Sequence, residues 1–219
     1  MARTRARPPL SPGTGRNGEM KDAEKAKLEG RLHRASVGIA GAGGLGSNAA
    51  VALARAGVGH LVIVDDDKVE KKNLTRQYYF LDQVGTLKVE ALKANIERAV
   101  EGAKVDAVAK RLVPGQMAAP FKDVDVVVEA LDNAETKTRF VQEVLKDLPG
   151  KPVVAASGVA GWGGCERIEL KRFAPLHLVR DKRAKSSDEG VLLAPKVCTM
   201  ANMQANVVLE ILLGAEHVD

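Results

Sequence analysis

Cysteine is scarce in this chain of 219 residues, which carries only Cys165 and Cys198. Two thiols cannot build a disulfide framework and fall short of the four thiolates of an all-cysteine zinc site, so no structural zinc is expected. The same scarcity points to a reducing, cytoplasmic compartment. Long apolar runs are also missing: none approaches the roughly 20 residues of a membrane-spanning helix, and no membrane partner is expected. The opening stretch MARTRARPPLSPGTGRNGE has no apolar h-region and reads as a disordered tail, so no secretory signal is expected in it. No internal repeat or interior linker breaks the remainder. His33, His60, His177 and His217 are scattered without metal-ligand spacing and read as surface or capping residues.

Hydrophobic residues make up 45% and charged residues 28%, the balance of an ordinary globular protein with room for one sizeable core. The formal charge of +5 is concentrated at one end, because Arg3, Arg5, Arg7 and Arg16 stand against Glu19 alone. The body is therefore close to neutral, which argues against a nucleic-acid partner. Residues 1–30 read as a basic tail and charged leader, with Lys21 to Gly30 a solvated helix and Met20 an alternative start. Residues 31–219 read as one nucleotide-binding domain.

Val37–Ala40 is a short apolar run that enters GAGGLGS and then a segment of helix formers, Asn48–Ala56. A second apolar run, Leu61–Val64, stops at Asp65, Asp66 and Asp67. Strand, glycine turn, helix and strand make a βαβ unit. The alternation continues through KVEALKANIERA, Val105–Val108, Val124–Ala130, Glu135–Leu148 and Val153–Ala156. This pattern predicts an α/β, Rossmann-like fold: a mostly parallel sheet with helices on both faces. An antiparallel C-terminal extension is expected beyond it, with one strand at Glu166–Arg172, a long polar loop to Gly190 and a terminal helix over Pro195–Leu213.

Gly41, Gly43 and Gly46 satisfy G-x-G-x-x-G, with Gly44 a fourth glycine, between a strand and a helix. Glycines there let phosphate oxygens approach the N–H groups at a helix start, where the dipole favours negative charge. They also serve close packing of helix on strand. Asp65 ends the next strand, where a carboxylate can accept hydrogen bonds from ribose hydroxyls. Glycine loop and aspartate together fit NAD as well as ATP. The residues that follow separate the two: Asn73 and the cations Arg76 and Lys88 fall near the phosphate end, where triphosphate chemistry accumulates charge and a nicotinamide cofactor does not. Asp132 and Asn133 follow VVVEALDN at the carboxyl edge of the sheet, and a carboxylate there can hold magnesium or cap a helix.

GAGGLGS, VDDDKVEKKNLTRQ, VGTLKVEAL and EALDN resemble, in order and spacing, the nucleotide site of the ubiquitin-activating-type superfamily that includes ThiF and MoeB. The resemblance covers about residues 31–214. The ending GVLLAPKVCTMANMQANVVLEILLG is most similar to short ThiF-like proteins of thiamine thiazole synthesis. The resemblance implies ATP-dependent adenylation of the C-terminal glycine of a ThiS-like, ubiquitin-fold sulfur carrier by a homodimer. It implies that Gly41, Gly43, Gly44 and Gly46 hold phosphates and Asp65 the ribose. Asn73, Arg76 and Lys88 would orient and neutralise the triphosphate, and Asp132, next to Asn133, would bind Mg2+. Arg76, Lys88 and Asp132 are the expected catalytic residues.

Two features depart from the family pattern. The paired C-x-x-C motifs of larger relatives are absent, and the Arg-x-x-Arg element that reaches a partner subunit's ATP has only Arg31 and Arg34 as counterparts. Where relatives carry a cysteine that links to the activated carrier, this chain has Ser186 and Ser187, so Cys165 and Cys198 are expected to be non-catalytic. Three rivals are weighed: an adenylating relative with another acceptor, such as a tRNA-modifying dehydratase; a scaffold that keeps ATP; and an NAD-dependent oxidoreductase.

Overall fold

The computed structural model describes residues 22–185 and 190–214. Its strands are β1 (Ser36–Ala40), β2 (His60–Val64), β3 (Lys104–Val108), β4 (Val126–Glu129), β5 (Val153–Ser157), β6 (Ile168–Phe173) and β7 (Leu176–Asp181). They form one sheet in the order β3-β2-β1-β4-β5-β7-β6. All neighbouring pairs are parallel except β6 with β7. The helices are α1 (Asp22–Arg34), α2 (Gly44–Arg55), α3 (Lys88–Ala99), α4 (Ala134–Asp147) and α5 (Ala194–Leu213).

The β-branched strands are buried on both faces, as a sheet covered on both sides requires. Val37, Ile39, Leu61, Ile63, Val126 and Val128 join the core beneath α2, α3 and α5. Val62, Val64, Val127 and Val153 meet Phe121, Phe140 and Val144 on the other side. Each wholly buried aliphatic side chain of this kind contributes about 1.5–3 kcal/mol. Helix α5 lies against α2 through Met200, Ala201, Ala205 and Val208, all in the first core, so the final helix is core and its methionines are packing residues.

Helix α1 spans the boundary expected between residues 30 and 31, and Leu32 near its end is buried. Arg31 donates to the Leu212 carbonyl at 3.0 Å, which ties α1 to the C-terminal turn of α5 within the same chain.

The C-terminal part departs from the sequence expectation at one place. The segment expected to be a long polar loop after residue 172 contains β7, which inserts between β5 and β6 instead of extending the edge. Its cations disguised it. On an outer strand pair, Arg180 can hold Glu169 at 2.9 Å while Val179 fills the core, so a half-solvated strand carries charges that read as loop in sequence.

Candidate active site

The carboxyl ends of β1, β2, β4 and β5 open into a cleft of about 310 Å3. Its floor is the turn between β1 and α2. Gly41 sits at φ 96°, a left-handed conformation that glycine adopts without strain, and turns the chain at the strand end. A Cβ at Gly46 would overlap the Gly41 carbonyl oxygen, so that glycine lets the helix approach the strand. Gly41, Gly43 and Gly44 line the cleft, whereas Gly46 packs behind it.

Helix α2 starts without a side-chain cap and without an acidic residue in its first turn. Its leading N–H groups therefore face the cleft with the positive end of the helix dipole and no built-in acceptor, an arrangement suited to phosphate. Asp65 braces this floor: one carboxylate oxygen accepts from Ala42 N at 2.6 Å and the other from Asp67 N at 2.8 Å. Burial pushes the Asp65 carboxyl up, opposed by Lys88 and by those two amides. Each of its oxygens keeps a second lone pair for a ligand hydroxyl. Tyr79 supports the same turn by donating to the Ala42 carbonyl at 2.6 Å.

One wall carries the cations. Lys88 at the start of α3 is nearly enclosed, and its Nζ donates to Asp67 Oδ2 at 2.6 Å. Arg76 lies on the loop that packs against α2, where Asn48 Nδ2 donates to the Arg76 carbonyl at 3.0 Å. Its guanidinium donates to the Lys72 carbonyl at 3.2 Å and lines the cleft. Asn73 is buried and does not line the cleft; its Oδ1 accepts from Glu70 N at 2.9 Å and shapes the loop that presents Arg76.

Asp132 and Leu131 form the opposite rim and also border an adjoining pocket of about 640 Å3. That second pocket includes Leu112, Met117 and Asn133, and it shares Gly41, Asp65, Asp67, Leu131 and Asp132 with the cleft. Asn133, and not Asp132, caps α4, since its Oδ1 accepts from Thr136 N at 2.9 Å. The loop at the outer edge is tethered by Glu143, which accepts from Gly115 N at 2.8 Å and Met117 N at 2.5 Å.

The ThiF family profile matches residues 16–219. The chain belongs to the ThiF family. It is 34% identical over 223 residues to an adenylyltransferase and sulfurtransferase of Aspergillus fumigatus, an alignment that covers 92% of this chain and 44% of the relative. A Candida glabrata protein of the same name is 31% identical over 84% of this chain and 44% of its own length. The chain thus spans less than half the length of these curated relatives. Among solved structures, the tRNA N6-threonylcarbamoyladenosine dehydratase of E. coli in complex with AMP superposes with a TM-score of 0.78 at 20% identity, covering 89% of this chain and 97% of that one. E. coli MccB with ATP has the same core, with a TM-score of 0.68 at 20% identity over 86% of this chain and 58% of that one. The ThiF-family fold thus accounts for the parallel sheet and its antiparallel end.

Of the residues singled out from sequence, the structure brings Gly41, Gly43, Gly44, Asp65, Arg76, Lys88 and Asp132 to one cleft, and sets Gly46 and Asn73 behind it and Asn133 beside it. Sequence reasoning missed Asp67, Gln77 and Lys137, which also line it. Asp67 could have been found as the third aspartate after β2, and Lys137 as a cation one turn into the helix behind Asp132. Among the described residues, the one group of three or more His, Cys, Asp or Glu side chains close enough to share a metal is Asp65, Asp66 and Asp67, whose ligand atoms lie within 4.8 Å of one another. Ser186 and Ser187 lie outside the described residues. Cys165 is exposed, and Cys198 packs half-buried on α5, where burial raises its thiol pKa. Among the described residues, no helix is long and apolar enough to cross a membrane.

Proposed function

We propose that this ThiF-family protein is an ATP-dependent adenylyltransferase acting on the C-terminal carboxylate of a ThiS-like, ubiquitin-fold sulfur carrier. One observation carries the reading: the uncapped N-terminus of α2 faces the same cleft as Arg76 and Lys88. A dinucleotide's pyrophosphate is neutralised by helix N–H groups alone, whereas a triphosphate needs the additional cations. The adenylyltransferase names of its relatives support the same chemistry.

The two joined pockets support one direction for the ligand. The base would enter the side lined by Leu112, Met117 and Leu131, and Asp65 at the junction would take the ribose. The phosphates would then cross Gly41–Gly44 toward Arg76 and Lys88. The donor set at the junction fits Mg2+, because Asp132 and the Asp65–Asp67 group offer hard carboxylate oxygens. Magnesium bound there would neutralise phosphate charge.

The chemical step joins the carrier's carboxylate oxygen to the α-phosphorus and breaks the bond to the β-phosphate oxygen. Pyrophosphate leaves with the bonding electron pair, and an acyl adenylate remains. An ionised carboxylate is its own nucleophile, so no general base is demanded. Arg76 and Lys88 hold the departing charge, and the glycine turn fixes the α-phosphate in line. Cys198 is half-buried and burial raises its thiol pKa, and in this reading the reaction ends at the acyl adenylate. The protein is a homodimer in this reading.

Titration calorimetry with ATP and MgCl2, beside NAD, tests the nucleotide assignment. Micromolar ATP binding with no measurable NAD binding is expected. Tight NAD binding with none for ATP would return the cleft to dehydrogenase chemistry.

A further inference from the structure

The sheet opens at one place on its carboxyl side. Strand β1 pairs with β4 as far as Ala40↔Glu129, and β5 pairs with β7 as far as Ser157↔Arg180. Between them, β4 and β5 pair only at Val127↔Val153 and Val128↔Val154. Beyond that point the two strands part, and the parted ends, Ala130–Asp132 and Ala156–Gly158, line the cleft.

Side chains replace the missing ladder. From α5 on one face, Gln204 Nε2 donates to the Glu129 carbonyl at 2.9 Å and the Val154 carbonyl at 3.1 Å. From α4 on the other, Lys137 Nζ donates to both carboxylate oxygens of Glu129, at 2.9 and 2.6 Å, and to the Ala156 carbonyl at 3.1 Å. Glu129 in turn accepts from Leu131 N at 2.8 Å. The Glu129 side chain is wholly buried and that of Lys137 is 21% exposed. Burial pushes the Glu129 carboxyl up, and the Lys137 ammonium opposes it.

We infer that Lys137 and Glu129 form a positioning unit that holds the parted ends of β4 and β5 as the two lips of the nucleotide cleft. The inference rests on the proposed use of this cleft for ATP. Lys137 reaches one lip through the Ala156 carbonyl and the other through Glu129 and the Leu131 amide, next to Asp132. All three ammonium hydrogens are taken by these acceptors, so Lys137 acts through the lips and not as a phosphate ligand. Stability alone does not explain the pair. A buried ion pair brings little net stabilisation over well-packed apolar groups, and two further ladder bonds would close the same gap with backbone that is already present. The side-chain bridge keeps the gap open at a fixed width, with the lips held against polar groups instead of against each other.

Four variants separate positioning from stabilisation, with ATP affinity in MgCl2 measured by calorimetry and Tm by thermal unfolding. Lys137→Met should lower Tm, because it leaves the Glu129 charge unpaired. The double variant Glu129→Gln, Lys137→Met removes that charge and should recover most of the Tm, yet bind ATP at least tenfold more weakly than the parent protein. Lys137→Arg keeps a cation with donors for both lips and should stay within threefold. Glu129→Gln alone preserves shape and covers the case in which the double variant does not fold; it should weaken ATP at least threefold at near-parental Tm. A stable double variant, or a stable Glu129→Gln, with parental ATP affinity would overturn the positioning role while leaving the adenylation reading intact. A parent protein that binds no ATP would overturn both.

Discussion

The two halves of the sheet use charge in opposite ways. Around β1, β2 and α3, Asp65 at a strand end, Lys88 at a helix start and Arg76 on the loop between them line a cleft. Around β6, β7 and α5, the charges satisfy one another: Asp181 is wholly buried, accepts from Lys196 Nζ at 2.5 Å, from Arg167 Nε at 3.4 Å and from Arg183 N at 3.0 Å. Burial by itself would raise the Asp181 carboxyl, but these three donors outweigh it and hold it at about 2. In the proposed reading the charges around the cleft are offered to a ligand, whereas those around Asp181 are saturated by one another away from it.

The largest effect expected on that division is at Lys196. Lys196→Met leaves Asp181 buried with weaker compensation and should cost about 3–5 kcal/mol of stability at neutral pH, as removal of one partner from a buried pair does. ATP affinity of the molecules that remain folded should change little. The depressed Asp181 value also fixes a sign. The stability it contributes is complete above the ordinary carboxylate value of 3.8 and is lost as pH falls toward 2. Urea unfolding from pH 6 down to pH 2 should show this acid-side loss in the parent and a smaller one in Lys196→Met. Equal acid limbs in both proteins would break the contrast.

On the other side, Arg76→Ala or Asp132→Ala should cut carrier-dependent pyrophosphate exchange by about 100-fold or more, as loss of one preorganised charge commonly does. Thermal unfolding should be unchanged to within a few degrees, because neither residue belongs to the buried core. A drop in Tm comparable to that of Lys196→Met would show that these charges serve the fold as well.

The same contrast explains how much could be read from sequence. Short-range rules wrote the first half: a β-branched run, four glycines and a terminal aspartate lie within about one βαβ unit, so Gly41, Asp65 and Lys88 were legible. The motif offers Asn73 and Gly46 as ligand contacts; in the fold Asn73 Oδ1 locks its own loop, Gly46 admits the Gly41 carbonyl, and neither lines the cleft. A residue type in a motif does not reveal whether its side chain points to the ligand or to the backbone behind it. The second half depends on distant partners. Asp181 meets Lys196 and Arg167 only after β7 has inserted between β5 and β6, and Glu129 meets Lys137 only across the end of a strand. Nothing local announces such pairs, so β7 and its cations looked like loop.

The smallest effect expected is at the N-terminus. The sequence of residues 1–19 is poor in large apolar side chains, and the residues singled out for the nucleotide site all lie after them. A protein beginning at Met20 should keep its Tm and exchange activity within twofold. A larger loss would extend the functional half beyond the cleft.

The central claim is that the cleft activates a carboxylate with ATP, and carrier-dependent exchange of labelled pyrophosphate into ATP tests it most directly. The account predicts exchange with a ubiquitin-fold sulfur carrier ending in glycine, and background exchange when that glycine is removed or Arg76 is replaced by alanine. Exchange that ignores the carrier's terminus, or none with any such carrier from a protein that binds ATP tightly, would contradict it.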